Sequence, residues 1–466
     1  MNNRFISYRD FKIFSLANIY FFLFLIFGFV LYGCSETVAP NVILITVDTL
    51  RPDHLSCYGY PRRTSPNIDK IASQGILFEN VVAQSSWTLP SVASILTSRF
   101  PGELRMVNSF SKFRDESLRI ATILQEREFY TAAFISGGLI SASRGFDKGF
   151  NTFTDIVGRA EVINSHVFKW LNQKRDKPFF LWVHYFDVHS DYDAPPPFDK
   201  RFDETFSDLK IGRTDYLLNV IKNGLKLPPA EISKIKLLYD REILYTDHHI
   251  GKLLERLRKK QVLDNSILII GADHGEEFME HSKMGHSFTL YDEVVKVPLI
   301  IRYPAKLSKS KKISQQVQNL DILPTILDLI SVDFIDFQFR GRSLLPLIEG
   351  KLEMDQFAFS ETQPLGEWLK DREEWPNNIF KSLYMIRTNK NKLIFDEKNK
   401  SWEFFDLAAD SGEKFNKYSE SITQDNDFKK ALLAWKKSLQ VKFLVNEEIE
   451  KKQSEIEKLR SLGYIN

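Results

Sequence analysis

The sequence predicts an α/β fold built on a mostly parallel sheet sandwiched by helices, and three observations carry that expectation. Continuous apolar runs recur along the chain, helical patterns lie between them, and acids or histidines follow three of the runs. The first run, Asn41-Val-Ile-Leu-Ile-Thr-Val-Asp48, is unbroken up to its acid, the mark of a strand buried on both faces. Similar runs lie at Phe179-Phe-Leu-Trp-Val-His184, Ser266-Ile-Leu-Ile-Ile270 and Pro298-Leu-Ile-Ile301. Helical patterns span Ser65 to Gln74, closed by Gly75, then Pro90 to Leu96, and a long stretch from about Ala230 to Leu257. Such alternation implies a sheet covered on both faces. Residues 202–229 are polar and lack a strand pattern, and read as an insertion or lid within a catalytic domain of residues 41–350. From about Phe357 the strands become shorter and more polar (Leu383–Arg387, Lys392–Phe395, Trp402–Phe405) and charged helices follow, so residues 351–466 are expected to form a small C-terminal α+β subdomain.

Composition bounds the function. The chain has 466 residues, 43% hydrophobic and 27% charged, ample for one large core with an appendage or for two domains. The net charge is +2, and residues 1–33 alone carry Arg4, Arg9 and Lys12 against Asp10, so the remainder is near neutral. No basic stripe points to nucleic acid. Two cysteines, Cys34 and Cys57, are too few for a disulfide framework or a zinc cluster, and Cys57 reads as a packed residue. The N-terminus has a basic stretch up to Lys12 and an uncharged run from Ile13 to Gly33, the pattern of a signal peptide or of a membrane anchor. The run ends in Leu31-Tyr-Gly-Cys34, which resembles a bacterial lipobox with Tyr32 bulkier than usual, and makes Cys34 the candidate lipidation site ahead of a tether over 34–40. Lipidation, an uncleaved anchor and ordinary cleavage all export the rest of the chain. The expected location is the cell envelope, extracytoplasmic and held to a membrane through the N-terminus.

Three segments could carry chemistry. Asp48 follows the first strand, His184 to His189 closes another, and Asp273-His-Gly-Glu276 follows a third. Open α/β sheets bind ligands beyond the carboxyl ends of their strands, so these segments can converge. Five of the nine histidines (His184, His189, His274, His281, His286) lie in two of these segments. Asp273 and His274 can turn to one point with Asp48 as a third ligand, and oxygen-plus-imidazole ligation suits zinc, manganese or iron, with calcium open where oxygens dominate. A helix cap with a turn glycine is the alternative for Asp273–Glu276. A fourth piece is Ser85-Ser-Trp-Thr-Leu-Pro-Ser-Val-Ala-Ser-Ile-Leu-Thr97. Thr88 there suits a helix N-cap, with Pro90 in the first turn. The same position suits a nucleophile, because a helix N-terminus attracts anions and metal ligation lowers a hydroxyl pKa.

Taken in order, these motifs resemble the sulfatase family of the alkaline phosphatase superfamily. The resemblance runs through Val47-Asp-Thr-Leu-Arg-Pro-Asp-His54, Ser65-Pro-Asn-Ile-Asp69, Ser86-Trp-Thr-Leu-Pro-Ser91, Gly145-Phe-Asp-Lys-Gly-Phe150, His184-Tyr-Phe-Asp-Val-His189, Ala272-Asp-His-Gly-Glu-Glu-Phe-Met-Glu-His281 and Leu459-Arg-Ser-Leu-Gly-Tyr464, covering nearly all of residues 41–466. It implies an alkaline-phosphatase-like fold and one divalent metal ion (calcium, manganese or zinc) held by Asp48, Asp273, His274 and Thr88. Thr88 takes the nucleophile position, His189 and His286 contact the oxyanion or protonate the leaving oxygen, and His184 and Arg51 are expected at the substrate, with a structural salt bridge as the alternative for Arg51. Three positions depart from the family pattern. Thr88 replaces the Cys or Ser that is oxidised to formylglycine, Val92 replaces the motif's arginine, and Thr49 replaces a second metal carboxylate. The remaining set resembles the single-metal site of phosphoethanolamine and lipoteichoic-acid transferases, which form a phosphothreonine. The expected activity is a metal-dependent hydrolase or transferase of sulfate or phosphate esters, leaning to phosphoesters, on a small-molecule, glycan or lipid substrate. A sulfatase without formylglycine and a catalytically silent surface-binding lipoprotein are the alternatives.

Overall fold

The structure is a computed structural model that describes residues 39–114, 116–307, 310–351, 356–363, 381–419 and 427–439. The N-terminal apolar run, Cys34 and the Leu459–Tyr464 motif lie outside the described residues. No helix among the described residues is long and apolar enough to cross a membrane.

Among the described residues ten strands precede the C-terminal region: β1 (Asn41–Val47), β2 (Ile76–Val82), β3 (Tyr130–Ile135), β4 (Thr152–Asp155), β5 (Phe179–Tyr185), β6 (Ser266–Ala272), the short β7 (Glu277–Phe278) and β8 (Met284–Gly285), β9 (Lys296–Arg302) and β10 (Lys311–Gln318). Eight of them form one sheet in the order β10-β2-β9-β6-β1-β5-β3-β4. Every neighbouring pair is parallel except those of β9, which runs antiparallel to both β2 and β6. The unbroken apolar runs occupy the centre: β5 and β6 are buried at every residue, and β1 at every residue but Asn41. Helices Pro66–Ala72, Thr88–Thr97, Ala160–Leu171, Pro229–Lys259 and Ile322–Leu329 flank the sheet. The three predicted helices are present, each within about two residues of its expected ends. Residues 202–229 contain the helix Thr214–Asn223, which buries Leu217 and Val220.

Register positions the site. In the parallel ladders Val47 lies opposite both Tyr185 of β5 and Ala272 of β6. The three central strands therefore end level, and the next residues, Asp48, Phe186 and Asp273, leave the sheet side by side although they are far apart in sequence.

The C-terminal strands β11 (Ala358–Thr362), β12 (Leu383–Arg387), β13 (Asn391–Asp396) and β14 (Ser401–Asp406) form an antiparallel sheet in that order. Its side chains alternate between two cores, as the pleat requires. Tyr384, Ile386, Leu393 and Phe395 pack with Phe100, Leu320 and Trp435 of the helix Asp427–Leu439, while Met385, Ile394 and Phe405 pack with Val82, Leu290 and Val294. The second core shares residues with the large sheet, and Arg387 adds a bidentate pair to Asp292 at 3.0 and 2.8 Å.

The chain leaving β6 runs against the turn that enters β9. Gly275 N–H donates to Val294 O at 2.9 Å and Glu276 N–H to Glu293 O at 3.0 Å. A Cβ on Gly275 would lie 2.0 Å from Glu293 O, so glycine is required here by the closeness of two backbones. Gly275→Ala is expected to cost about 1–3 kcal/mol, the range for overpacking a close contact, and to displace Asp273 and His274. Thermal unfolding of the variant beside the parent checks this, and an unchanged melting temperature would refute it.

Candidate active site

Beyond the level ends of β1, β5 and β6 the predicted residues converge. Asp48 and Asp273 are fully buried. His274 Nε2 lies 3.3 Å from Asp48 Oδ1 and 3.5 Å from Asp273 Oδ2. Its Nδ1 is held at 2.9 Å by Gly275 O, which fixes the proton on Nδ1 and turns Nε2 to the cluster. Thr88 is the first residue of its helix, with Trp87 rather than Thr88 in the cap position. Its Oγ1 lies 3.4 Å from Asp48 Oδ2 and 3.2 Å from His274 Nε2.

His184 was expected at the substrate; the structure instead places it, fully buried, among the possible ligands. Its Nδ1 pairs with Thr46 Oγ1 at 2.8 Å, and Trp182 Nε1 donates to the same hydroxyl at 3.0 Å. That leaves His184 Nε2 3.6 Å from Asp48 Oδ2. Potential ligand atoms of Asp48, His184 and Asp273 all lie within 4.8 Å of one another.

A row of imidazoles continues from this cluster. The His274 and His286 rings are 4.6 Å apart and those of His286 and His189 5.1 Å. Phe186 stacks on His189 at 4.4 Å. His286 Nδ1 pairs with Glu276 Oε1 at 2.9 Å, and Tyr192 OH donates to Glu276 Oε2 at 3.0 Å. Glu276 was read from the sequence only as part of a motif; an acid two residues past a metal-type Asp-His pair and ten before a histidine was the available signal. Arg51 does not join the cluster. Its guanidinium holds Asp53 in a fork at 3.0 and 2.7 Å, and Glu276 O and Glu280 Oε1 at 2.8 Å each, so it takes the structural role held open for it. His281 likewise turns away, stacking on Tyr291 and pairing with Glu293.

The electrostatics favour a bound cation. Burial pushes the Asp48 carboxyl up to about 6, against the opposing pull of His189 and His286. Burial, and then the charge of Asp48, hold Asp273 well above the usual carboxylate range. Burial pushes His274 well down, and His184 and His189 down as well. For His286 burial also acts downward, but the Glu276 carboxylate outweighs it and the net shift is up. Asp48 Oδ1, Asp273 Oδ2 and His184 Nε2 are buried without a hydrogen-bond partner among the described residues. Unpartnered buried carboxylate and imidazole atoms facing one point fit a divalent ion, and a dication would stabilise the ionised acids and neutral imidazoles together. Asp48, Asp273, His274 and His184 are the residues placed to hold it, with Thr88 Oγ1 beside them.

Comparison with known proteins identifies the family. Residues 40–332 match the family model described as Sulfatase, and residues 280–440 the one described as N-sulphoglucosamine sulphohydrolase, C-terminal. The chain is 27% identical to the N-acetylglucosamine-6-O-sulfatase of Bacteroides thetaiotaomicron, over 82% of this chain and 83% of that protein. It is 28% identical to the arylsulfatase K of Canis lupus familiaris, over 81% and 79%. Among solved structures, one in complex with its substrate D-glucosamine-2-N,6-O-disulfate superposes with a TM-score of 0.71 at 22% identity, over 86% of this chain and 98% of that one. The phosphonate monoester hydrolase of Agrobacterium radiobacter superposes with a TM-score of 0.67 at 18% identity, over 86% and 94%. With the family model spanning the large sheet and the whole candidate site, the chain belongs to the sulfatase family of ester hydrolases.

Proposed function

We propose that this sulfatase-family hydrolase uses Thr88 as its nucleophile and acts by preference on phosphoesters. The observation that supports the reading most is the seat of Thr88 Oγ1, buried at a helix start and within 3.4 Å of Asp48 Oδ2 and 3.2 Å of His274 Nε2. The Thr88 β-carbon is secondary, so oxidation would give a ketone instead of the aldehyde whose hydrate serves formylglycine sulfatases. The hydroxyl itself must attack. A divalent ion held by Asp48, Asp273, His274 and His184 would polarise the ester oxygens and lower the pKa of that hydroxyl.

The chain's own groups account for the proton steps. Asp48 Oδ2, on the acceptor side of the Thr88 hydroxyl, takes its proton as Oγ1 bonds to phosphorus and the bond to the leaving alcohol breaks. Glu276 occupies His286 Nδ1, which leaves Nε2 to deliver a proton to the departing oxygen; His189, whose Nδ1 donates to Ser190 O, lies beside it. Water then attacks the phosphothreonine, with His286 as the base; the bond from phosphorus to Thr88 Oγ1 breaks and Asp48 returns its proton to that oxygen, and an acceptor hydroxyl in place of water would make the reaction a transfer.

A second reading, hydrolysis of a sulfate ester on a glycan, is favoured by the names of the relatives, among them an N-acetylglucosamine-6-O-sulfatase and an arylsulfatase K. Rates on an aryl phosphodiester and an aryl sulfate separate the two. On the first reading the phosphodiester is the faster, Thr88→Ala loses about 10³-fold or more, and intact mass after a substrate soak gains one phosphoryl group on Thr88. Full activity in Thr88→Ala would refute the nucleophile assignment.

Proton donation by His286 has its own signature. His286→Ala should slow an alkyl ester, whose leaving oxygen needs a proton, by about 10²–10⁴-fold, and a 4-nitrophenyl ester far less. Equal losses on both would exclude His286 as the acid.

Metal binding is testable without turnover. Protein stripped with a chelator should gain thermal stability on adding manganese, zinc or calcium, by about 2.7 kcal/mol at a hundredfold excess over Kd. Asp273→Asn should abolish the gain. A gain that survives in Asp273→Asn would place the ion elsewhere.

A further inference from the structure

Positive charge collects at the end of the large sheet opposite the site. β1 to β6 and β10 run one way and β9 the other, so the segments entering those seven strands and the segment leaving β9 share one edge, remote from Asp48 and Thr88. Asn41 lies opposite Ser266 and Tyr130 opposite Phe179, and Asn41 Oδ1 accepts the N–H of Phe179 at 3.0 Å, so β1, β3, β5 and β6 start level. Arg302, at the end of β9, ties its segment to those entering β6 and β2, reaching Asp264 at 2.6 Å, Leu263 O at 3.2 Å and Gln74 Oε1 at 3.1 Å.

The described residues of this edge (126–130, 147–151, 172–178, 255–265, 302–307 and 310–312) carry thirteen Lys and Arg against six Asp and Glu, although the chain beyond residue 33 is near neutral. Three of the six acids are already paired, Glu128 with Lys177, Glu255 with Lys259 and Asp264 with Arg302. Lys174, Arg258 and Lys260 are exposed and make no ion pair among the described residues. Residues 330–339 lie among these segments, because Lys306 Nζ donates to Leu329 O at 2.8 Å on one side and the Arg127 guanidinium sits 5.7 Å over the Phe337 ring on the other. They add Asp333 and Asp336, but also Ile335, 84% exposed, between the half-buried Phe334 and Phe337. Basic side chains beside an exposed aliphatic and aromatic loop are the composition of a surface that rests on a membrane: the cations attract anionic headgroups and the apolar side chains enter the headgroup boundary. A soluble polyanion would use the cations and leave Ile335 without a partner. The path of the chain favours the same occupant. Pro40 leads into β1 in the middle of this edge, and the seven residues from Cys34 to Pro40 span at most about 25 Å. With the uncharged run Ile13–Gly33 held in a membrane, as the sequence leads one to expect, this edge is the part of the fold that the tether brings to the bilayer.

We propose that this basic edge docks on a bilayer surface containing anionic phospholipid and holds the active site turned away from it, about 20 Å further along β1. The full-length protein is reconstituted into vesicles of phosphatidylcholine alone and into vesicles with about one-third phosphatidylglycerol, and lysines are acetylated with a membrane-impermeant reagent and read by mass spectrometry. Lys177 and Lys306 report on the edge; the exposed Lys226, which follows the helix Thr214–Asn223 packed on β8, is the reference. Relative to Lys226, both should label about threefold more slowly on the anionic vesicles, and about 1 M salt should remove the difference. The variant Lys174→Glu/Arg258→Glu/Lys260→Glu should lose the protection while cleaving a soluble aryl ester at the parental rate, since none of the three lies near the site. Equal labelling on the two vesicle types, protection that persists in high salt or in the variant, or equal protection by soluble polyglutamate on the neutral vesicles would overturn the proposal.

Discussion

The site depends on one constraint, the level ending of three parallel strands. Val47 pairs with both Tyr185 and Ala272, so Asp48 and Asp273 leave the sheet as neighbours and His184 stands one strand away. Two carboxylates are thereby buried within reach of one another, where Coulomb repulsion and lost hydration act together. The sheet can hold them so because its central strands are apolar on both faces and contribute a large buried area. The cost is concentrated at the strand ends, where a cation can offset it.

The surrounding groups act on this small charge problem. Gly275 O fixes the tautomer of His274 and Glu276 that of His286, while Thr46, which accepts from Trp182, holds Nδ1 of His184. Each leaves an Nε2 available, yet the outcomes differ. Burial without a carboxylate on Nδ1 keeps His184 and His274 neutral, as ligands must be, while Glu276 holds a proton on His286. One residue type thus divides into imidazoles biased to the neutral form and one biased to the protonated form, according to what sits behind Nδ1.

Much of this was legible in the sequence. The strand Asn41–Val47 and its acid, the Asp273-His274 pair, the helix opening at Thr88 and the C-terminal strands can all be read from periodicity and flanking residues. The missed elements have identifiable causes. β10 (Lys-Lys-Ile-Ser-Gln-Gln-Val-Gln) is an edge strand and too polar to read as one, and β2 is interrupted by Glu79-Asn80, where its ladders with β9 and β10 shift register. The reversed direction of β9 leaves no trace because a strand buried on both faces looks the same either way. His184 could not be told from a substrate-facing residue, since strand position gives no depth. Arg51 shows the converse: an arginine near a site motif satisfied by Asp53 and Glu280, partners two and 229 residues away in the chain.

Val92 is where the departures from the family pattern acquire physical consequence. It lies 1% exposed in the same helix as Thr88 and carries no charge. On the proposed mechanism, positive charge beside Thr88 comes from a divalent ion and from His286, whose proton the Glu276 carboxylate favours. Both sit on the strand-end side of Thr88. An arginine at position 92 would add positive charge from the helix side. Its absence fits a nucleophile that is an ordinary hydroxyl, activated by its neighbours on the sheet instead of by its own helix.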